Sequence, residues 1–473
     1  MPIPLLFMGL PLICAPVFYS LQRYRRESAW GAAGMALLLT VLVRALPLNG
    51  SIEWLGGALL RDTFTILGRD FTIKAADQLT LAYVFGQAAL LFVLSLFTPV
   101  GHFFIPVGFA ILGFTAAALF VQPFVFAALF IALAASLAVF ILVDTEGQPS
   151  SRGAWRFLVF TMLGLPFILL AGWQLEQPAN LPLTGAALMP VLVLLGLGLA
   201  IWQAIAPFHS WLPVVTEHAA PLAAVFVLTA MRFSTVFLLL AFLNTYPALG
   251  QHPITERVLT LAGGGVALVG ALFAFGQRNL GRVMGYAVLI DFGAVLLAIG
   301  LRTTAGLEAA LATLALRGMA LPVWAVGLTH LRRITGGRDD FESLIGFAWK
   351  YPAATATTLI GLLSLVGFPL TAGFPVRWAL LTLLAHIHPS AALILLLGMT
   401  SIALVCARGL MALLARPADA PRPEHLWDDV IEPPRALLGL GLVCLLLLML
   451  SLFPQSLTNL LVTSIPLFSQ YLR

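Results

Sequence analysis

Runs of apolar residues, each roughly the length of a bilayer core, recur along the whole chain between short polar intervals. About 20 such residues cross the hydrocarbon when helical. The runs predict helices over 3–21 and 28–48, then over 77–98, 101–120 and 122–143. Further on they predict 156–173, 186–206, 214–244 and 257–276, followed by 280–301, 305–330, 352–386, 390–415 and 435–466. The pattern is that of an all-α polytopic membrane protein with about fourteen transmembrane helices. The interval 49–76 is different in kind. Its apolar and polar residues alternate on both sides of Leu67-Gly68-Arg69-Asp70, which predicts a short β-hairpin outside the membrane.

Two of the runs are interrupted. The first carries Ala206-Pro-Phe-His-Ser-Trp-Leu-Pro213, with Glu217, His218 and Pro221 behind it. The second carries Gly367-Phe-Pro-Leu-Thr-Ala-Gly-Phe-Pro375. Irregular backbone at membrane depth persists only where protein or water satisfies the freed N–H and C=O groups. A pair of such breaks points to an inverted-repeat transporter with its sites near the midplane.

Composition agrees with the pattern: 60% of the 473 residues are hydrophobic, only 10% are charged, and the mean hydropathy is +1.01. Soluble domains carry about 25% charged residues. The net charge of +5 is no nucleic-acid signal, because the arginines stand singly or in small groups at helix ends. Those groups set the orientation. Arg23, Arg25, Arg26, Arg152, Arg156, Arg278, Arg282, Arg332, Arg333, Arg338, Lys350, Arg416 and Arg422 fall on one face when fourteen spans are counted. The opposite face holds Arg61, Arg69, Lys74, Arg257, Arg302 and Arg473. The richer face is expected to be cytoplasmic, which puts both termini and the hairpin outside a prokaryotic inner membrane. Cys14, Cys406 and Cys444 lie in apolar runs without ligand spacing and read as small buried hydrophobes. The run 3–21 lacks a basic leader and a cleavage site, and reads as a retained helix.

Charges inside spans are costly, so each is a functional candidate by default. Arg232 falls near the middle of 214–244, and Asp291 is the one acid well inside 280–301. Two readings of them as a pair stand side by side: a proton relay biased by a fixed guanidinium, or a static ion pair joining helices. An arginine cannot pass a proton by losing its own. His209 and His218 flank the first break with Glu217, and relay and helix-capping roles are both open for this trio. Nothing in the chain forms a metal constellation or a phosphate loop, and no soluble portion is large enough for a flavin, an iron–sulfur cluster or a nucleotide. No cofactor is expected on this chain.

The stretch around Pro-Phe-His-Ser-Trp-Leu-Pro213 resembles the signature of the antiporter-like membrane subunits of NADH:quinone oxidoreductase (respiratory complex I). The same family includes subunits of multisubunit cation/proton antiporters and membrane-bound hydrogenases. Gly337-Arg-Asp-Asp-Phe-Glu-Ser-Leu-Ile-Gly346, Leu363 to Phe374, and Asn279-Leu-Gly-Arg-Val-Met-Gly-Tyr286 are similar to further segments of that family, in the same order. The resemblance implies two inverted five-helix repeats with discontinuous helices and a proton path along the membrane plane. It divides the chain into N-terminal helices with the hairpin (1–100), a first bundle (101–244, break near 207–213), a second bundle (257–415, break near 367–377) and a C-terminal helix (435–473).

Departures from the family pattern matter as much. The glutamate usual on the fifth helix has no counterpart in 122–143, and the lysine position seven residues before His209 is Trp202. Arg232 stands where one branch has a lysine, Arg317 lies in the next lysine region, and Arg377 takes the place of a lysine or glutamate after the second break. The resemblance implies a proton-translocating subunit with His209, Glu217, His218, Arg232, Asp291, Arg317 and Arg377 as path candidates. Its partners would be other membrane subunits, peripheral redox or soluble subunits and the lipid bilayer, with no nucleic acid. Any redox chemistry would lie on partner subunits. Two alternatives remain: a structural subunit that keeps the fold without pumping, and a membrane subunit of a cation/proton antiport or inorganic-carbon uptake system.

Overall fold

The computed structural model describes residues 2–48, 51–52, 58–59, 61–144, 151–175, 188–416, 430–453, 468 and 470–472. Glu53, Arg422, Arg473, the stretch 454–466 and the side chain of Cys444 lie outside the described residues. The helices are α1 (Ile3–Ser20), α2 (Arg25–Ala45), α3 (Ala75–Leu94), α4 (Phe104–Phe120), α5 (Ala127–Val143), α6 (Arg152–Leu175) and α7 (Leu188–Trp202). They continue as α8 (Trp211–His218), α9 (Pro221–Thr245), α10 (Pro253–Phe275), α11 (Leu280–Gly300) and α12 (Thr304–Thr335). The last are α13 (Pro352–Val366), α14 (Phe374–Ile387), α15 (Pro389–Leu414) and α16 (Pro434–Leu452). Among the described residues, nine of these are long and apolar enough to cross a bilayer: α1, α2, α3, α6, α9, α10, α11, α12 and α15. The chain is a mostly helical integral membrane protein.

By packing, the chain forms two compact units. One comprises Met1–Gln203, Phe226–Thr255 and Ser464–Arg473; the other comprises Ala204–Val225 and Glu256–Thr463. The first break and α8 belong to the second unit.

In the first unit α1 packs on α4 and α2 on α3. Phe18 stacks on Phe109 at 5.0 Å between ring centres, and Phe92 stacks on the same Phe109 ring at 5.1 Å. Short strands β1 (Ser51–Ile52) and β2 (Ala58–Leu59) pair with each other. β3 (Thr63–Ile66) and β4 (Arg69–Thr72) pair antiparallel with Phe64 opposite Phe71, and β4 also pairs with β5 (Val121–Gln122). Leu67 and Gly68 both take positive φ (51° and 74°) in the β3–β4 turn, the twist that a two-residue hairpin loop requires. Helix α9 contains a π-helical stretch, Val227–Met231, immediately before Arg232.

In the second unit α11 is the central helix. Like α9, it is 94% buried over its apolar window, which suits a helix that is hydrophobic all round. Helices α12 and α13 pack backbone to backbone. A Cβ on Gly361 would lie 2.6 Å from the Trp324 amide nitrogen, so only glycine admits this approach.

Two expected spans are each divided. The run 352–386 becomes α13 and α14, separated at Gly367–Gly373, and 214–244 becomes α8 and α9, separated at Ala219-Ala220. Between α7 and α8 the backbone is irregular. Ala204 has φ 55°, the Ala206–Pro207 bond is cis, and a single 3-10 turn covers Phe208–Ser210. Cys14 and Cys406 are buried free thiols.

Candidate functional site: a carboxylate shared by two arginines

Asp291 sits midway along α11, in a surround of Ile290, Phe292 and other fully buried apolar residues. Its carboxylate takes two cations. Arg317, from the middle of α12, donates Nε to Asp291 Oδ2 at 2.6 Å, with Nη2 at the same distance from that oxygen. Arg377, in the first turn of α14, donates Nη2 to Oδ1 at 2.7 Å and to the Leu365 carbonyl at 3.1 Å. All three side chains are 3% exposed or less. The Arg317 guanidinium also lies 4.0 Å above the Phe292 ring, a cation–π contact strengthened by burial. Arg317 Nη1 and Arg377 Nη1 have no hydrogen-bond partner among the described residues.

The second break puts Arg377 there. Leaving α13, the chain turns at Gly367 (φ 82°), whose amide returns to Leu363 O in an αL helix ending. After the turn Pro375 opens α14, and Arg377 N closes onto Gly373 O. A Cβ on Gly367 would lie 2.5 Å from Arg377 Cβ and would need a backbone conformation that L-residues avoid. Gly367→Ala is therefore expected to cost roughly 1–3 kcal/mol. The check is a lower unfolding midpoint for the purified variant, against an unchanged or slightly raised midpoint for Gly439→Ala, a helix position where a Cβ meets nothing within 4 Å.

The sequence reading pairs Asp291 with Arg232. Asp291 is taken by Arg317 and Arg377, while Arg232 belongs to the other compact unit. There Arg232 Nη1 donates to Trp202 O at 2.7 Å and Gln203 Oε1 at 2.9 Å. Gln203 in turn donates to Thr235 Oγ1 at 3.2 Å. Trp202 is locked by its indole N–H on Thr161 O at 2.9 Å and packs into the space left by Gly164. A cavity of about 20 Å³ lies against Arg232, Thr235, Thr161 and Trp202, enough for one water molecule.

The trio near the first break separates. His209 lies half-buried on the 3-10 turn, its ring 5.9 Å from that of Phe273, and its Nδ1 has no hydrogen-bond partner among the described residues. Glu217 and His218 are in the last turn of α8, so Glu217 does not cap a helix start as one reading had it. Instead Arg282 Nε donates to Glu217 Oε2 at 2.6 Å, with His218 Nδ1 3.4 Å from the same oxygen and 3.0 Å from Val214 O.

Sequence reasoning missed the residue that organises this corner. Arg332 donates to the carbonyls of Thr216 (3.1 Å), Glu217 (2.7 Å) and Ala219 (3.0 Å), the groups a helix end leaves unsatisfied. It also binds Asp339 Oδ2 at 2.6 Å. Asp339, 2% exposed, accepts from Gly281 N at 3.1 Å and from Asn279 Nδ2, and so ties the start of α11 to the end of α8. Next to it, burial pushes the Asp340 carboxyl up. Hydrogen bonding by Ser343 and the nearby Arg338 outweigh that and hold it below the usual carboxylate range. Glu432 was missed as well. It is buried and accepts from Ala353 N (2.6 Å) and Ala354 N (3.0 Å), a carboxylate on the positive end of α13. Its only legible signal was an acid beside prolines ahead of an apolar run.

Interrupted helices and charges buried at mid-span are features of the membrane-transporter class. The family model described as NADH:quinone oxidoreductase/Mrp antiporter, TM, matches residues 154–404, and the chain belongs to that family. It is 29% identical over 384 residues to NADH-quinone oxidoreductase subunit N 2 of Acidobacterium capsulatum, covering 74% of this chain and 75% of that protein. With NADH-quinone oxidoreductase subunit N of Acinetobacter baumannii it shares 35% identity over 201 residues. That match covers 41% of this chain and spans only 40% of the relative's length. Among solved structures, a chain of the membrane-bound sulfane sulfur reductase, an archaeal respiratory membrane complex, superposes with a TM-score of 0.79 at 17% identity. The alignment covers 100% of this chain and 98% of that one, a likeness of fold.

Proposed function

We propose that this chain is a proton-translocating, antiporter-like subunit of a multisubunit membrane assembly of the complex I type, with redox chemistry on partner subunits. The observation that carries the reading is Asp291, buried at mid-helix and shared by Arg317 and Arg377. Both carboxylate oxygens already accept N–H donors. In this reading one guanidinium withdraws from Asp291 as the carboxylate is neutralised, which links charge on α11 to arginine position. Arg377 is the partner that moves, because it follows the break at Gly367–Gly373 and shifts with α14. Arginine retains its own proton and acts by position alone. Partner subunits would bias α14.

The finer architecture belongs to the same proposal. Fourteen spans form two inverted five-helix repeats in a bacterial inner membrane, with both termini and the β3–β4 hairpin on the outer side. The arginine distribution supports this orientation.

A second reading has its own support. Helix α5 carries no acid, and Trp202 is fixed by Thr161 where the family has a lysine, so a structural subunit that does not pump would fit these two places. Proteoliposomes holding the purified assembly separate the two. With Asp291→Asn, driven proton uptake is expected to fall roughly 100-fold while the subunits still co-purify. Uptake at the wild-type rate with the assembly intact would leave the structural reading.

A further inference from the structure

A cavity of about 40 Å³ has no part in the proposed proton path. It lies in the first unit where α1 turns into α2, walled by Gln22, Arg25 and Ser28 on one side and by Ser95, Gly101 and His102 on the other. The polar wall is held in place. Arg25 Nη2 donates to Val100 O at 3.3 Å, and Gln22 Nε2 donates to His102 O at 3.2 Å. Arg23 and Arg26 stand exposed on the same turn. Against these three cations stand Glu27 on α2 and Asp144, whose carboxylate is committed to the Phe103 amide at 2.9 Å.

Depth identifies the occupant. Tyr19, Tyr24, Trp30, Phe97 and Phe103 are all exposed around the ends of α1, α2, α3 and α4 that frame the cavity. Exposed aromatic side chains concentrate at the headgroup level of a bilayer. A basic recess between helices at that level suits the phosphate of an anionic lipid. The guanidinium presents several N–H donors in a planar fork matched to phosphate oxygens, and the Ser28 hydroxyl and His102 ring add shorter-range donors.

We propose that the recess between the α1–α2 turn and residues 95–102 binds the phosphate headgroup of one anionic phospholipid, with Arg25 as its principal contact.

The test is native mass spectrometry of the detergent-purified full chain, with whatever subunits accompany it. It would be titrated separately with phosphatidylglycerol, phosphatidylcholine and inorganic phosphate. One phosphatidylglycerol per chain is expected to be retained, with no matching retention of phosphatidylcholine and no displacement by millimolar phosphate. Arg25→Gln is expected to weaken retention about fivefold, the factor one basic residue contributes near an anionic surface. Gln22→Leu keeps all three arginines and guards against a folding artefact; it is expected to weaken retention by a smaller factor. Equal retention of the two lipids, or retention unaffected by both substitutions, would overturn the proposal. Displacement by inorganic phosphate would instead make the recess a site for the free ion and overturn it equally.

Discussion

Asp291→Leu is expected to prevent stable folding of the second unit, or to lower its stability by about 3–5 kcal/mol, because it leaves two guanidinium groups buried without a counter-charge. The contrast that isolates this cause is the triple replacement Asp291→Leu, Arg317→Met and Arg377→Met. Apolar groups of similar size can replace a buried ion cluster at little cost or with a gain in stability. The triple variant should therefore regain most of the unfolding midpoint lost by the single one. It should also remain inactive in proton uptake, since no carboxylate is left on α11. Thermal unfolding of the purified protein, read beside uptake in proteoliposomes, gives both results. A triple variant no more stable than Asp291→Leu would mean that the loss came from packing around α11 rather than from charge.

The second large effect is expected at Arg332. Replacing it by alanine strips hydrogen bonds from Thr216, Glu217 and Ala219 and leaves the buried Asp339 without its cation. The cost of orphaning such a charge is again about 3–5 kcal/mol. Hydrogen exchange should localise it, with faster exchange over 211–219 and 280–283 and little change over α13. Arg332→Lys should recover only part, because an ammonium cannot match the planar fork that spans three carbonyls and a carboxylate. Full recovery by lysine would show that charge alone sustains the junction.

The helical class and the breaks were legible because they depend on one-dimensional features. Apolar length sets a membrane helix, and the prolines and glycines at 206–213 and 367–375 mark where helices stop. Asp291, Arg317 and Arg377 stood out singly as charges inside apolar runs. Their grouping did not, and Arg232 was assigned the carboxylate that Arg317 and Arg377 hold. The physical reason lies in α11 and α9. A helix buried on every side has no polar face, so its sequence does not say which neighbour meets which residue. Arg332, Asp339 and Glu432 were overlooked for the opposite reason. They lie in charged stretches at helix ends, where most charges are solvated, and only the fold reveals that these three cap helices.

The π-helical stretch Val227–Met231 has a consequence for evolution by insertion and deletion. Such a stretch accommodates one residue more than a regular turn, as a single-residue insertion into an α-helix does. Arg232 directly follows it, so its angular position on α9 is offset by about 100° from that in a regular helix. A gap-free alignment with a relative whose helix is regular therefore matches Arg232 to a residue on a different face. Against such a relative its counterpart lies one position away, and an alignment of this helix then needs a one-residue gap between Phe226 and Arg232.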